Sequence, residues 1–307
     1  MGILEYLSAS NNNTDNVPVD DRFKFVDDAS TIEVINLLNV GLASHNQKVQ
    51  VSSEVPVNNQ FIPSEFLNTQ KYVEDINSWT EMNKMVLNPK KTKNMIFNFS
   101  KNNQFVTNIQ LKGQKIETVE ETKLLGTIIT SDLKWRRNTE EIVKDGNKRM
   151  RILHAAAKYT SKISDLKTIY NMFIRSKLEH SSVVWGSGLT QEESDDIERI
   201  QKAAVKVMIG KKYEDYRKAL EFLNMKTLVE RRQALGLKFA KSCLKNDKVK
   251  NFFPLNNRHN LNVRNHEKFK VNFARTQRYS SSTIPNLQRV LNKDELLKKS
   301  MLRRIGC

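Results

Sequence analysis

The sequence predicts an α+β protein in which a mixed amino-terminal part precedes a long helical part. Short apolar segments that alternate with polar residues, typical of strands, recur up to about residue 129. Beyond Trp135 the apolar residues return every three or four positions, the period of helices that bury one face. We therefore expect a small sheet with a helix, followed by an all-helical region.

The first elements are set by short apolar runs and by prolines. Residues 23–26 indicate a strand, and residues 31–38 fit either a strand or a helix. Residues 41–62 are polar and predict an extended loop. A helix is expected from Ser64 to before Pro89, because the residue that precedes a proline avoids helical backbone.

Strand character returns after this helix. Residues 95–99 alternate and predict a strand, and residues 124–129 predict another. Between them, Lys112-Gly113 separates two apolar segments and predicts the turn of a hairpin.

Helix starts in the last part are marked by capping signatures, in which a cap residue precedes an acid by three positions. The pairs are Asn138 with Glu141, Thr190 with Glu193, and Thr227 with Glu230. The regular apolar faces behind these caps predict a core, and one of them comprises Leu166, Ile169, Tyr170, Phe173, Ile174 and Leu178. Residues 246–307 are polar and basic and predict a partly disordered tail with a short helix near Leu291–Leu302. The predicted domains are therefore 1–135, 136–245 and 246–307.

The net charge of +17 is unevenly distributed. Residues 1–88 carry 5 Lys/Arg and 12 Asp/Glu, a balance of −7, whereas residues 89–307 carry 46 and 22, a balance of +24. Phosphate backbones are the commonest partner of such a basic body. An anionic membrane competes as a partner, but no segment pairs a basic face with a large apolar face.

Composition also bears on location. No apolar run reaches 18 residues, so we expect no membrane span. The first residues lack the basic and apolar regions of a secretory signal. Neither Cys243 nor Cys307 has a metal-ligand spacing. These features predict an intracellular protein, cytoplasmic or nuclear, without a disulfide framework.

Two adjacent carboxylates, Asp27 and Asp28, follow the strand predicted at residues 23–26. Such a pair is often only a turn, because the Asp side chain hydrogen-bonds nearby backbone. The alternative is a cation site, since Mg²⁺ takes one or two carboxylates together with phosphates and water. A cation also removes the repulsion between neighbouring negative charges. On the residues alone, both interpretations stay open.

Four segments carry a resemblance to a known family: FKFVDDAS, WTEMNKMVLNPKKTKNMIFNFS, KLLGTIITSDLKW, and LKTIYNMFIRSKLEHSSVVW followed by DDIERIQKAAVKVMIG. In that order they resemble the metal-binding acid pair, the palm helix and strand, the primer-supporting hairpin and the helices after the palm of a reverse transcriptase. The family is that of non-LTR retrotransposons of the jockey-like LINE type. The resemblance covers residues 5 to 245 and implies a partial polymerase palm, a helical thumb and a basic tail.

The resemblance assigns roles at the reacting centre. It implies Asp27 as the principal ligand, and Asp28 as the weaker one, of a two-ion Mg²⁺ or Mn²⁺ site that activates the primer hydroxyl and stabilises the leaving pyrophosphate. It implies Lys91, ahead of Lys93, near the triphosphate of the incoming deoxynucleotide, as a proton donor to the leaving group. A solvated basic loop accounts for Lys90, Lys91 and Lys93 equally well.

The remaining implied roles concern an RNA template and a DNA primer. Leu125 and Gly126 are expected to shape the primer hairpin, where glycine lets backbone approach nucleic acid closely. A plain strand glycine is nearly as good an explanation. The helices are expected to grip a duplex through its phosphates, contacts that position nucleic acid without reading its sequence. The candidates for these contacts are Lys144, Lys148, Arg149, Arg151 and Lys158.

The chain also departs from the family's pattern. The resemblance implies fingers and another catalytic aspartate upstream of Asp27, and neither fits in the 26 residues before it. We therefore expect a truncated RNA-directed DNA polymerase. Loss of a metal-ligating carboxylate should leave little or no activity, because the metal ions stabilise charge that develops in the transition state. Two alternatives are a non-catalytic nucleic-acid-binding remnant that uses residues 136–307, and a helical protein–protein module.

Overall fold

A computed structural model describes residues 59–62, 68–98, 104–256 and 267–304. The chain divides into two compact units, one that ends at Leu133 and one that begins at Lys134. In the described residues, short strands with one helix form the first unit and helices dominate the second. The predicted α+β class is confirmed. The strands predicted before residue 40 lie outside the described residues.

The strands of the first unit pair two by two. The parallel pairs are β1 (Asn59–Ile62) with β3 (Gln104–Thr107) and β2 (Lys93–Asn94) with β6 (Glu117–Thr118). The antiparallel pairs are β4 (Gln110–Leu111) with β5 (Gln114–Lys115) and β7 (Glu121–Leu124) with β8 (Thr127–Thr130).

One helix, α1 (Asn68–Met82), packs on this small sheet region. It ends before Pro89, as predicted, but earlier than the proline requires. The earlier end follows from Lys84, whose φ of 55° leaves helical backbone, and from Met85 N–H, which donates to the Thr80 carbonyl at 2.8 Å. The core of the unit is apolar and small, with Val73 and Leu87 packed against the buried side chains of Ile109, Leu111 and Ile116.

The strand predictions are partly confirmed. The hairpin turn at Lys112-Gly113 is present, and both residues have positive φ (52° and 73°), as tight hairpin turns require. The strand predicted over 95–99 is wrong for residues 95–98, which follow β2 as irregular chain. The single strand predicted over 124–129 is instead the end of β7, a turn and β8.

The second unit is built mainly from helices, joined by short turns. Their bounds are α2 (Arg136–Tyr159), α3 (Ile163–Ile169), a π-helical turn (Tyr170–Arg175), α4 (Ser176–Leu178), α5 (Ser182–Trp185), α6 (Gln191–Ile209), α7 (Tyr216–Phe222), α8 (Leu228–Cys243), α9 (Gln277–Ser280) and α10 (Thr283–Arg304). Short 3₁₀ turns lie at Gly210–Lys212 and Lys250–Phe252. Among the described residues, no helix has the length and apolar character to cross a membrane.

The central contact of this unit is the packing of α2 along α6. A Cβ at Gly146 would lie 2.6 Å from Cδ1 of Ile200 and 3.1 Å from Cδ2 of Leu178, so glycine permits a close approach of the helices. The buried side chains around this contact come from α2 to α8. They are Ile142, Met150, Leu153, Leu166, Tyr170, Ile174, Leu178, Trp185, Ile197, Ile200, Ala204, Val205, Met208, Ala219, Leu220, Leu223 and Leu228.

Two of the three predicted helix caps are confirmed. Thr190 caps α6 and Thr227 caps α8, each as a complete capping box with the acid three residues later. The cap predicted at Asn138 is wrong. Helix α2 already begins at Arg136, and Asn138 is buried within its first turn, where packing rather than local sequence decides its place.

The π-helical turn corrects the predicted core face after α3. Leu166, Tyr170, Ile174 and Leu178 recur every four residues and are all buried. Residues spaced by four drift around an α-helix, which has 3.6 residues per turn. The wider π-helical turn, with i→i+5 hydrogen bonds, compensates for this drift and keeps the four side chains on one face. Phe173, predicted to be in the core, is consequently 41% exposed.

A second core joins α10 to α8. Its buried residues are Ala240, Cys243, Phe253, Phe269, Leu287 and Leu291. The side-chain amide of Asn292 donates to the Phe269 carbonyl and accepts from the Phe269 N–H, both at 2.9 Å. The short helix expected near Leu291–Leu302 is therefore the later part of a longer, packed helix.

A buried hydrogen-bond network ties four helical segments together: the π-helical turn, α6, α7 and the start of α8. Tyr170 donates its hydroxyl to Gln201 Oε1 at 2.5 Å, and Gln201 Nε2 donates to the Tyr216 hydroxyl at 2.8 Å. Tyr216 in turn donates to the buried carboxylate of Glu198, which also accepts from Leu228 N–H at 3.0 Å. Burial raises the pKa of Tyr170, so this phenol is held neutral.

Tyr170→Phe should lower the free energy of unfolding by about 1–3 kcal/mol at neutral pH, because Gln201 Oε1 loses a buried donor. Urea denaturation measures this change. The pKa of Tyr170 is higher in the folded state than the value of about 10 expected in the unfolded chain. The contribution of Tyr170 to the free energy of unfolding is therefore fully present below about pH 10 and is lost as the pH rises above it.

The wild type should therefore lose more stability between pH 8 and 11 than Tyr170→Phe does. Tyr159→Phe, which removes an exposed hydroxyl, is the matched control and should follow the wild type at both pH values. Equal stability of Tyr170→Phe and wild type at neutral pH would contradict the role of the network.

Candidate nucleic-acid interface

Helix α2 carries a line of cations on its solvent side, which we name the α2 basic face: Lys144, Lys148, Arg151 and Lys158. Spacings of four, three and seven place these residues on one side of a 3.6-residue helix. The opposite side holds Ile142, Gly146 and Leu153 and is buried. Because the core fixes the rotation of α2, all four cations point outward and are exposed.

The outer part of this face is free of acid. Residues 146–164 contain five Lys/Arg and no Asp/Glu. Within the part of the chain that the structure describes, no carboxylate lies within ion-pair distance of Lys148, Arg151 or Lys158. These three cations span about 15 Å of helix axis at 1.5 Å per residue. No described residue therefore neutralises their charge, which favours contact with an external anion.

The amino-terminal end of α2 is different, because acids compensate its cations. Arg136 and Arg137 both pair with Glu140, and hydrogen bonding from Arg137 lowers the pKa of that carboxyl. Lys144 lies 4.0 Å from Glu141 and borders a groove of about 250 Å³ that α2 and α6 line with further acids. The unpaired part of the face therefore begins at Lys148.

Arg149 was predicted to contact phosphate, but the structure gives it an internal partner. Its Nη1 donates to the Phe173 carbonyl at 2.8 Å, and the residue is half-buried between α2 and the π-helical turn. The accepting carbonyl lies within the π-helical turn Tyr170–Arg175. This contact supports the turn, and it leaves fewer donors of Arg149 for a phosphate.

A second basic surface lies at the carboxyl end of α6. The Lys202 Nζ lies 5.4 Å from the Tyr216 ring centroid, and the Lys206 Nζ lies 5.3 Å from that of Tyr213. Cation–π contacts with these two tyrosine rings already stabilise the lysine charges. The α2 basic face is therefore the better candidate for an external anion.

In the first unit, Lys91 stands in a turn built by Asn88. The Asn88 carbonyl accepts from Lys91 N–H at 3.0 Å, and its Oδ1 accepts from Lys90 N–H at 3.0 Å. Both lysine side chains are exposed. Lys93, the alternative candidate, forms an ion pair with Glu117 across the β2–β6 pair. This pairing makes Lys91 the better placed of the two for an anion.

Leu125 and Gly126 form the turn between β7 and β8. Their φ angles are 46° and 84°, so both residues adopt left-handed backbone. This conformation is strained for Leu125, which has a Cβ atom, and unstrained for Gly126. The Leu125 side chain is exposed at the tip of the hairpin. The backbone of the tip is thus open to close approach.

Asp27 and Asp28, the predicted metal ligands, lie outside the described residues. Within the described residues no group of three or more His, Cys, Asp or Glu side chains is arranged to hold a metal ion. The described residues therefore contain no cluster of ligands for the implied Mg²⁺ or Mn²⁺ ions, and the predicted site at Asp27 and Asp28 stays a prediction.

Two features of the helical unit were missed by sequence reasoning. Tyr159, at the end of α2, is 91% exposed, and its position six residues after buried Leu153 puts it off the core face. That helical phase is the signal that would have found it. Arg232 is buried and donates to Ser194 Oγ at 2.6 Å, and no sequence pattern separates it from an exposed arginine.

No family model, curated protein or solved structure matches this chain.

Proposed function

We propose that this chain binds nucleic acid through the α2 basic face. The observation that carries the proposal is the acid-free, outward line of Lys148, Arg151 and Lys158. One strand of a nucleic acid presents a negative charge about every 3.4 Å along a duplex axis, so this line spans about four phosphates. The second unit as a whole, from residue 134, has 39 Lys/Arg against 18 Asp/Glu, which favours approach of a polyanion.

Charge alone also occurs on ordinary solvated surfaces, and pairing distinguishes the two cases. Surface cations in proteins are commonly balanced by nearby acids, as Lys218 is by Glu214 at 3.2 Å and Lys241 by Asp294 at 2.9 Å in this unit. Among the residues that the structure describes, no acid balances the α2 basic face beyond Lys144. Concentrated, unbalanced positive charge on a rigid helix is the arrangement that contacts phosphates in a fixed geometry.

The triple variant Lys148→Gln, Arg151→Gln, Lys158→Gln should bind a 20-base-pair duplex on the order of tenfold or more weakly at low salt. The slope of log K against log salt concentration should also become shallower by about 2–3, because about three fewer counterions are released. Fluorescence anisotropy of the full chain across a salt series measures both quantities.

The matched control removes the same charge from the second basic surface and from the exposed 3₁₀ turn that follows α6, as Lys202→Gln, Lys206→Gln, Lys212→Gln. It should keep most of the affinity and the slope. Equal losses in the two triple variants would mean that binding follows net charge, and the proposed site would be wrong. Affinity of the wild type that does not change with salt would reject phosphate contact altogether.

As a second function, we propose that the chain is a fragment of an RNA-directed DNA polymerase. The intact enzyme would use an RNA template, a DNA primer, deoxynucleotides and two Mg²⁺ or Mn²⁺ ions. Two local features favour it: the exposed tip at Leu125-Gly126 and the exposed Lys91 in the Asn88 turn. In the polymerase, Asp27 and Asp28 would hold the ions. Nucleic-acid binding by α2 accords with the thumb role implied by the resemblance.

Substitution of the acid pair separates the two functions. In the variant Asp27→Ala, Asp28→Ala, duplex binding should persist at the wild-type level, because the α2 basic face is unchanged. Primer extension on an RNA template with Mg²⁺ or Mn²⁺ tests the polymerase. Templated incorporation that the double variant abolishes would establish catalysis, whereas loss of duplex binding in this variant would contradict the proposed role of α2.

A further inference from the structure

The α2 basic face has an apolar neighbour on the same helix. Ile152 and Tyr159 lie seven residues apart, which places them on one line along α2, next to the line of cations. Ile152 is 43% exposed and Tyr159 is 91% exposed. Each follows a cation of the basic face directly in sequence, Ile152 after Arg151 and Tyr159 after Lys158.

The π-helical turn carries two further exposed apolar side chains. Arg149 donates to the Phe173 carbonyl and so fixes the turn against α2. In the turn, Met172 is 63% exposed and Phe173 is exposed as well. Single exposed apolar residues are common and need no explanation. Ile152 and Tyr159, by contrast, share one line on α2 beside cations that have no acidic partner among the described residues.

Two parallel lines of this kind match the chemistry of a single nucleic-acid strand. Its phosphates are anionic and its bases present apolar π faces, and both are reachable when no second strand pairs with the bases. In a duplex the base faces are stacked inside, so only the cation line could act. A protein partner is less favoured, because the surface carries no acid between residues 146 and 164 and would demand a strongly acidic partner.

We propose that the α2 surface binds unpaired nucleotides, with Lys148, Arg151 and Lys158 on the phosphates and Tyr159 stacked on a base. The inference rests on the proposed nucleic-acid binding and adds the preferred form of the ligand. The Tyr159 ring follows Lys158 at the end of α2, so a strand held by the cations runs past it. Stacking is tolerant of sequence, because every base has a π face, and the site should not select a particular base.

The test uses the full chain with three labelled probes of equal length: a 12-nucleotide oligouridylate, an abasic strand with the same sugar–phosphate backbone, and a 12-base-pair RNA duplex. The abasic strand keeps the phosphates and lacks the bases. Wild type should bind oligouridylate on the order of tenfold more tightly than the abasic strand, the size expected for stacking of one base.

Tyr159→Ala should remove this preference and leave affinity for the abasic strand and the duplex within about twofold of wild type, since the cations are unchanged. Tyr159→Phe keeps the ring and should keep the preference. Phe239→Ala, which removes an exposed ring on α8, is the matched control and should bind all three probes as wild type does.

A preference for bases that survives in Tyr159→Ala overturns the inference, and so does a wild type that binds oligouridylate and abasic strand equally. In both cases binding to the abasic strand and the duplex would still uphold the proposed function. If none of the three probes binds at low salt, the proposed function fails together with the inference.

Discussion

The close packing of α2 on α6 decides what the helical unit can present to solvent. At Gly146 the two helices approach until a single added carbon would meet Ile200 and Leu178, so the rotation of α2 has little freedom. Protein cores are packed at crystal-like density, and such a contact is not easily shifted. With one side of α2 fixed in the core, the opposite side must carry the cations and Tyr159 outward.

The polar network beneath this contact adds specificity. Tyr170, Gln201 and Glu198 are buried polar groups, which an apolar core admits only when their hydrogen bonds are made. Their partners come from the π-helical turn, α6, α7 and the start of α8, so one arrangement of these segments satisfies them all. The network thus supports the position of the turn that carries Phe173.

Local signals in the sequence predicted those parts of the fold that local energetics decides. The capping boxes at Thr190 and Thr227 and the Lys112-Gly113 turn were found because a few neighbouring residues make all their contacts. Asn138 and Phe173 were misplaced because distant packing decides them. The capping signature at Asn138 has no effect because α2 already begins at Arg136. The position of Phe173 follows from the π-helical turn, whose formation depends on what the segment packs against.

For the candidate site, too, the sequence could predict some features and not others. The density of Lys and Arg on α2 and their outward direction could be predicted from composition and helical phase. The internal partner of Arg149 could not, because its acceptor lies 24 residues away, and the exposure of Tyr159 was overlooked.

Ultraviolet crosslinking of the full chain to a uridine-containing RNA, with mass-spectrometric mapping of the crosslinked peptides, tests the central claim most directly. Crosslinks should concentrate in residues 144–162. Crosslinks confined to other segments, with none in this range, would contradict the assignment of the nucleic-acid surface to α2.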